Sequence, residues 1–457
     1  MSRFQSLIFW FALLALIVLL ATGWLTRQSA QSPPNRQEVL FWHFWGGRDR
    51  AVVDNVVRQF NESQNHFFVR AVAMPGNNLQ AKLFLSITGG DPPDLVNQDD
   101  PILADWAKRR IIQPIGSVAT QSEIEHLDNW MFDSARRLSQ VGQDYFGICN
   151  GLDIRALYYN KTLLDQYNLR PPKTLKELDQ IATTLTPVAE SAAVSHYGYL
   201  PDSRRLWAWG YVFGGQFYNS LTDQVEVDSE PIRQATQWMA SYSQRYGPDN
   251  LAAFRQGDQS LPGKSFPLLP LRADSMVGRY GMMMDGQWRT RDLLDFTNKR
   301  KTLGIAAPEF GVCPLPPPLG GRDRAGWVNG NFFVIPTGAD CPEGAWEFIR
   351  FWIGLDQAEI AAQTCAAGGW IPVSQQVVET KEFQRFLTEN RLFRTFVDLA
   401  NSPNQFPTPA IPGAPMFQRT VESAAYEAMN QPDRPVGPIL NQANRRIELQ
   451  LQRASRK

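Results

Sequence analysis

Glu38-Val39-Leu40-Phe41-Trp42-His43-Phe44-Trp45-Gly46-Gly47 is the stretch on which the reading of this chain turns. The residues before the glycines are mostly β-branched or aromatic, the composition of a strand, and the glycine pair ends it. From Asp49 to Glu62 the apolar residues fall at Val52, Val53, Val56, Val57 and Phe60. That spacing follows the period of an amphipathic helix, about 3.6 residues. His66 to Met74 reads as a second strand, and Leu79 to Ile87 as a second helix closed by Gly89-Gly90. Pro92-Pro93-Asp94-Leu95-Val96 opens a third strand. Strand and helix alternating in this way imply a parallel sheet covered by helices, an α/β fold.

Outward from this unit, the composition is that of a folded protein. The chain has 457 residues, which suggests more than one domain. Hydrophobic residues make up 43% and charged residues 20%, close to globular averages. The 45 basic and 45 acidic residues cancel. That argues against nucleic acid, whose phosphates need a concentrated basic surface. Tryptophan is abundant, with 14 residues, many beside Gly, Pro or Asn. Indoles stack on the C–H faces of sugar rings, so Trp at turns hints at carbohydrate. The competing reading is core packing, because Trp buries a large area. Cys149, Cys313, Cys341 and Cys365 form no CxxC and no Cys/His pair, so no metal site is expected. A disulfide and free buried thiols both stay open.

Before the first strand lies Phe4 to Leu25, a run without charge that follows Arg3. Roughly 20 apolar residues suffice to span a bilayer. Thr26 to Glu38, with Pro33-Pro34, has the composition of a linker. Two readings stand side by side: a signal peptide cleaved near Ala21-Thr22-Gly23, or an uncleaved membrane anchor. Either places the remaining chain outside the cytoplasmic membrane, in the periplasm or another extracytoplasmic space. No later stretch is apolar for the ~18 residues a span requires.

Further along, Thr174-Leu175-Lys176-Glu177 has the form of a capping box, and a helix should start there. Glu343 to Gln363 reads as one long amphipathic helix with an aromatic stripe, and Pro403 to Pro415 as an extended loop. No internal repeat is present. Several segments then line up in a recognisable order: Gly90-Asp91-Pro92-Pro93-Asp94-Leu95-Val96, Ala156-Leu157-Tyr158-Tyr159-Asn160-Lys161, Leu169-Arg170-Pro171-Pro172-Lys173-Thr174, and Gly281-Met282-Met283-Met284-Asp285-Gly286-Gln287-Trp288. Gly304 to Pro308, Ala345 to Ile349 and Gly368-Gly369-Trp370-Ile371-Pro372-Val373 follow. In this order they resemble the maltose-binding-like solute-binding proteins of ABC sugar importers, extracellular solute-binding protein family 1. The resemblance covers the chain from about Glu38 onward. Two departures stand out: Asn150-Gly151 where the family usually has a proline, and a Pro-rich insertion within Phe254 to Val277.

The resemblance implies a two-lobed periplasmic-binding-protein fold, type II, preceded by the N-terminal signal or anchor helix. Residues 1–37 would be leader and linker. Residues 38–150 with 325–363 would form the first α/β lobe, and 151–324 with 364–457 the second. A sugar would bind between lobes that close around it, without a cofactor, and ABC permease subunits would be the partners.

Candidate ligand residues follow. Trp45 ends the first strand beside Gly46-Gly47, where open α/β sheets present ligands. Asn97, Gln98, Asp99 and Asp100 follow the third strand at the matching position, with side chains able to bind hydroxyls. By the resemblance, a polar residue at Asn150 or Asp153 touches ligand, and Trp209 is a stacking aromatic. Trp288, after Asp285-Gly286-Gln287, is the leading platform for a sugar ring. Trp327 and Asn329, beside Gly330, and Trp370, beside Gly369, complete the set. Arg289 and Arg291 suit an anionic group only if they are not part of an ion-paired face.

Nothing in the sequence marks an enzyme. There is no GxSxG elbow, no HExxH and no GxxxxGK[ST] loop, and the four histidines stand singly. A membrane-anchored ligand-sensing ectodomain of the same fold is the alternative function, and a carbohydrate-active enzyme the last.

Overall fold

The computed structural model describes residues 33, 35–98, 101–187, 194–261 and 265–455. The apolar run at Phe4 to Leu25 and the pair Asp99-Asp100 lie outside them. Among the described residues, no helix is long and apolar enough to cross a membrane.

The opening stretch forms strand β1 (Gln37–His43), followed by the helix Gly47–Ser63. The helix buries Val52, Val53, Val56, Val57 and Phe60, the face its periodicity predicts. Strand β2 (Phe67–Ala73) and the helix Gly76–Gly89 come next. Gly90 ends that helix in the left-handed region, with φ 78°, where only glycine sits without strain. Strand β3 (Leu95–Gln98) completes the parallel set, with β1 between β2 and β3.

Strand β4 (Ile148–Asn160) is the longest in the protein's sheet. It is joined by β5 (Met282–Gly286), β6 (Phe310–Cys313), β7 (Gly326–Val334) and the short β8 (Gln405–Phe406). The order across the sheet is β6-β4-β7-β3-β1-β2, with β5 also on β4 and β8 on β7. Two strands therefore link its two halves. β4 pairs with β7 from Ile148 to Ile154, then with β5 from Arg155 onward. β7 runs antiparallel to β3 through Phe332 to Val334, and its start, Gly326 and Trp327, pairs with β8. Changing partner at Ile154–Arg155 carries the chain from one helix-covered sheet region to the other.

Local signals hold where they are short-range. Thr174 accepts from the Glu177 amide at 3.2 Å, and the Glu177 carboxylate accepts from the Thr174 amide at 3.2 Å, closing the capping box. Two expectations change. Glu343 to Gln363 is not one helix but two, Pro342–Ile353 and Ala358–Gly368, because Gly354 turns the chain at φ 71°. Pro403 to Pro415 is not wholly loop: β8 joins the sheet, and a helix begins at Ala414. All four cysteines are free. Burial pushes the Cys149, Cys313 and Cys365 thiols up to about 12.

Candidate functional site

At the crossing, alternation along β4 puts Asp153 and Arg155 on one face and Ile154 and Ala156 on the other. β7 sets Asn329 opposite Asp153. The side chains then interlock. Arg155 Nη1 donates to Asn329 Oδ1 at 2.7 Å and to the Asp153 carbonyl at 3.0 Å. Gln287, just past β5, donates through Nε2 to Asp153 Oδ1 at 2.7 Å and to the Leu152 carbonyl at 3.2 Å. The Arg155 guanidinium lies 5.4 Å from the Trp288 ring centre and 4.9 Å from that of Trp327. Burial and the nearby Arg205 charge bring the Arg155 guanidinium down to about 10.

Trp288 is the large aromatic left open beside this cluster, 37% exposed. Glycine at 286 makes its position possible: a Cβ there would stand 2.2 Å from the indole. Asp285 is buried and spans two partners, accepting from the Gly286 amide at 2.8 Å and from Arg289 Nε at 2.9 Å. Arg205 Nη2 approaches the same carboxylate at 3.7 Å. Beside Asn329, a small recess is bounded by Pro101, Leu103, Arg137, Phe332 and Thr408.

Two ion pairs join the helix after β1 to the helix Arg289–Thr302 after β5. Arg48 meets Asp295 at 3.0 Å, and Arg291 meets Asp49 at 3.4 Å. Arg291 also donates to the Ala367 carbonyl at 3.0 Å. The two arginines considered for an anion, Arg289 and Arg291, are thus both committed to carboxylates.

The structure brings Asp153, Asn329, Trp288 and Trp327 together. Trp327 is itself buried, donating from Nε1 to Thr408 Oγ1 at 3.1 Å. Asn150 and Asn97 are buried in the strands nearby; Asn150 Nδ2 has no partner, while Asn97 Nδ2 donates to the Phe332 carbonyl at 3.2 Å. Gln98 is buried at the end of β3. Trp45 forms a second group with Trp352 and Trp370: three nearly parallel indoles, with ring centres 5.2–5.9 Å apart. Trp45 therefore turns its ring to other indoles, and of the three Trp370 alone is partly open. Trp209 is corrected. It is fully buried in the helix Leu206–Val212, packed on Trp238 and Tyr199, and is core rather than a platform. Sequence reasoning missed Arg155, Arg205 and Gln287. The signal for Arg155 was its i+2 spacing from Asp153 in a strand, which puts the two on one face.

Strands shared by two sheet regions, with an open indole and a polar cluster where they cross, make an α/β protein with a candidate binding site at the crossing. Residues 55–387 match the family described as bacterial extracellular solute-binding protein, and the chain belongs to that family. Its members are non-enzymatic solute-binding proteins. Among solved structures, CpMnBP1 with mannotriose bound aligns with a TM-score of 0.70 at 21% identity, over 89% of this chain and 99% of that one. The sugar-binding protein MalE of the phytopathogen Xanthomonas citri gives 0.70 at 16% identity, over 91% and 98%. The maltose/maltodextrin-binding domain MalE of Bdellovibrio bacteriovorus, bound to maltotriose, gives 0.64 at 15%, over 91% and 100%. The likeness establishes a periplasmic-binding-protein fold. No curated protein matches the chain.

Proposed function

We propose that the chain is the extracytoplasmic component of an ABC importer and captures an oligosaccharide between two lobes. One lobe comprises residues 38–150 with 325–363, and the other 151–324 with 364–457. The observation that carries the reading is Trp288: a large indole, partly open, beside carboxylate, amide and guanidinium groups at the strand crossing. A flat apolar face next to hydrogen-bonding groups suits a sugar, which is apolar on its C–H faces and polar at its rim. Structural neighbours whose names specify mannotriose and maltotriose support the same choice. Asp153, Asn150 and Asn329 would read hydroxyls, with Asn97, Gln98, Asp99 and Asp100 from the other side. Trp45, Trp327 and Trp370 would shape the walls. The N-terminal apolar run would export the chain and, if retained, tether it near permease subunits.

The test is thermal unfolding of the full chain against mono- and oligosaccharides, with amino acids and polyamines as controls. A sugar at 100 times its dissociation constant stabilises the native state by roughly 2.7 kcal/mol. A shift with a sugar that is recovered unchanged supports the reading. A shift only with amino acids or polyamines overturns the sugar and leaves the fold.

A further inference from the structure

Two arginines of the polar cluster, Arg155 and Arg205, each keep a buried guanidinium nitrogen without a hydrogen-bond partner. Arg155 is only 9% exposed, yet among the described residues no carboxylate lies within ion-pair distance of it. Its Nη1 is taken by the Asp153 carbonyl and by Asn329, and its Cζ lies over the Trp288 and Trp327 rings. The Nε is buried without a hydrogen-bond partner. A guanidinium binds a carboxylate in bidentate fashion along one edge, and the Nε edge of Arg155 is unused.

Arg205 repeats the pattern. Its Nε is also buried and unpartnered. Among the described residues the one carboxylate within ion-pair distance of it is Asp285, at 3.7 Å, which is already held by Arg289 at 2.9 Å and the Gly286 amide at 2.8 Å. The neighbouring cations are saturated: Arg204 grips Asp202 with three hydrogen bonds, and Arg289 also holds Asp292 at 2.7 Å. Asp153 accepts from the neutral Gln287 and lies close enough to Arg155 to favour its charge, without a hydrogen bond between the two side chains. A buried donor without a partner is costly, and a carboxylate is the acceptor that best fits a guanidinium edge, so these two open edges favour a carboxylate that enters.

We infer that the solute is an acidic saccharide, one carrying a uronate carboxylate, and that Arg155 grips this carboxylate with Arg205 as the second cation. This rests on the proposed binding of a sugar in the cleft. The Nε of Arg155 is shut from solvent here, so the carboxylate enters while the lobes are apart and is enclosed as they close. Trp288, against which Arg155 lies, then takes the ring of the same sugar unit.

The test uses the full chain and calorimetry with pairs of probes that differ only at the carboxyl: uronate-containing disaccharides and their carboxyl-reduced, neutral counterparts, with citrate as a non-sugar anion. The expected result is binding of a uronate disaccharide, with its neutral counterpart at least roughly 100-fold weaker, the scale for losing one partner of a buried charge pair. Arg155→Gln should erase that difference, and Arg155→Lys should restore only part of it, because lysine lacks the fork. Should Arg155→Gln fail to fold, Arg205→Gln, at a side chain 17% exposed, should still narrow the difference. Equal binding of the acidic and neutral partners overturns the inference and leaves sugar binding intact. Binding of citrate alone, lost in either variant, keeps the anion site and overturns the sugar. Tight binding of a uronate unaffected by both variants removes Arg155 and Arg205 from recognition.

Discussion

Gly286→Ala is the sharpest probe of the Trp288 platform, because it disturbs the ring without altering it. The ring lies where a Cβ on residue 286 would stand 2.2 Å from it, well inside van der Waals contact, so the indole must swing away. Gly286 has no positive φ, so the effect is steric and not a backbone strain. A tryptophan presents up to about 250 Å². At 37% exposure, roughly 90 Å² remains for a ligand to cover. At about 25 cal/mol per Å², that area is worth about 2 kcal/mol, or roughly 30-fold in affinity. Gly286→Ala and Trp288→Ala should therefore weaken the best-binding oligosaccharide by similar factors in calorimetry, with near-native melting temperatures. If Gly286→Ala kept full affinity while Trp288→Ala lost it, the seat on Gly286 would be irrelevant. Full affinity in both variants would remove Trp288 from the site.

Three further outcomes are expected. Double substitution Arg48→Ser and Arg291→Ser removes the two ion pairs between the helices after β1 and β5; each partly exposed pair is worth at most about 1 kcal/mol. Scattering should show a larger radius of gyration for the ligand-free variant, and an unchanged radius would mean that these pairs do not hold the lobes. Burial lowers His43 to about 4, below its usual value, so the folded state disfavours its protonation. Its contribution is therefore full above the unfolded pKa of about 6.5 and is lost as pH falls toward 4. His43→Leu should flatten the fall in melting temperature across that window, and an identical slope would contradict the assignment. Alkylation at pH 8 should leave Cys149 and Cys365 unlabelled until denaturant is added, because both are buried and their thiols sit near 12. Mass spectrometry showing native labelling at either would refute that burial.

Much of the fold was legible because its signals are local. The apolar spacing of Val52 to Phe60, the left-handed Gly90 and the Thr174–Glu177 box act within a few residues and need no partner elsewhere. The break at Gly354 was not seen, because the apolar pattern continues on both sides of it. The site was legible only in part. Trp209 and Trp288 both have glycines close by, but one lies inside a helix packed against Trp238 and the other follows a strand end. Only tertiary packing separates those roles. Arg155 became a site residue through the register that sets Asn329 beside Asp153, a pairing between segments distant in the chain.

The most direct test is a crystal structure of the full chain with the saccharide that gives the largest melting shift. The account predicts one sugar unit on Trp288, within hydrogen-bond distance of Asp153, Arg155 or Asn329, with the lobes joined across it. Saccharide bound on an outer surface, or a cleft that stays empty at saturating ligand, would contradict it.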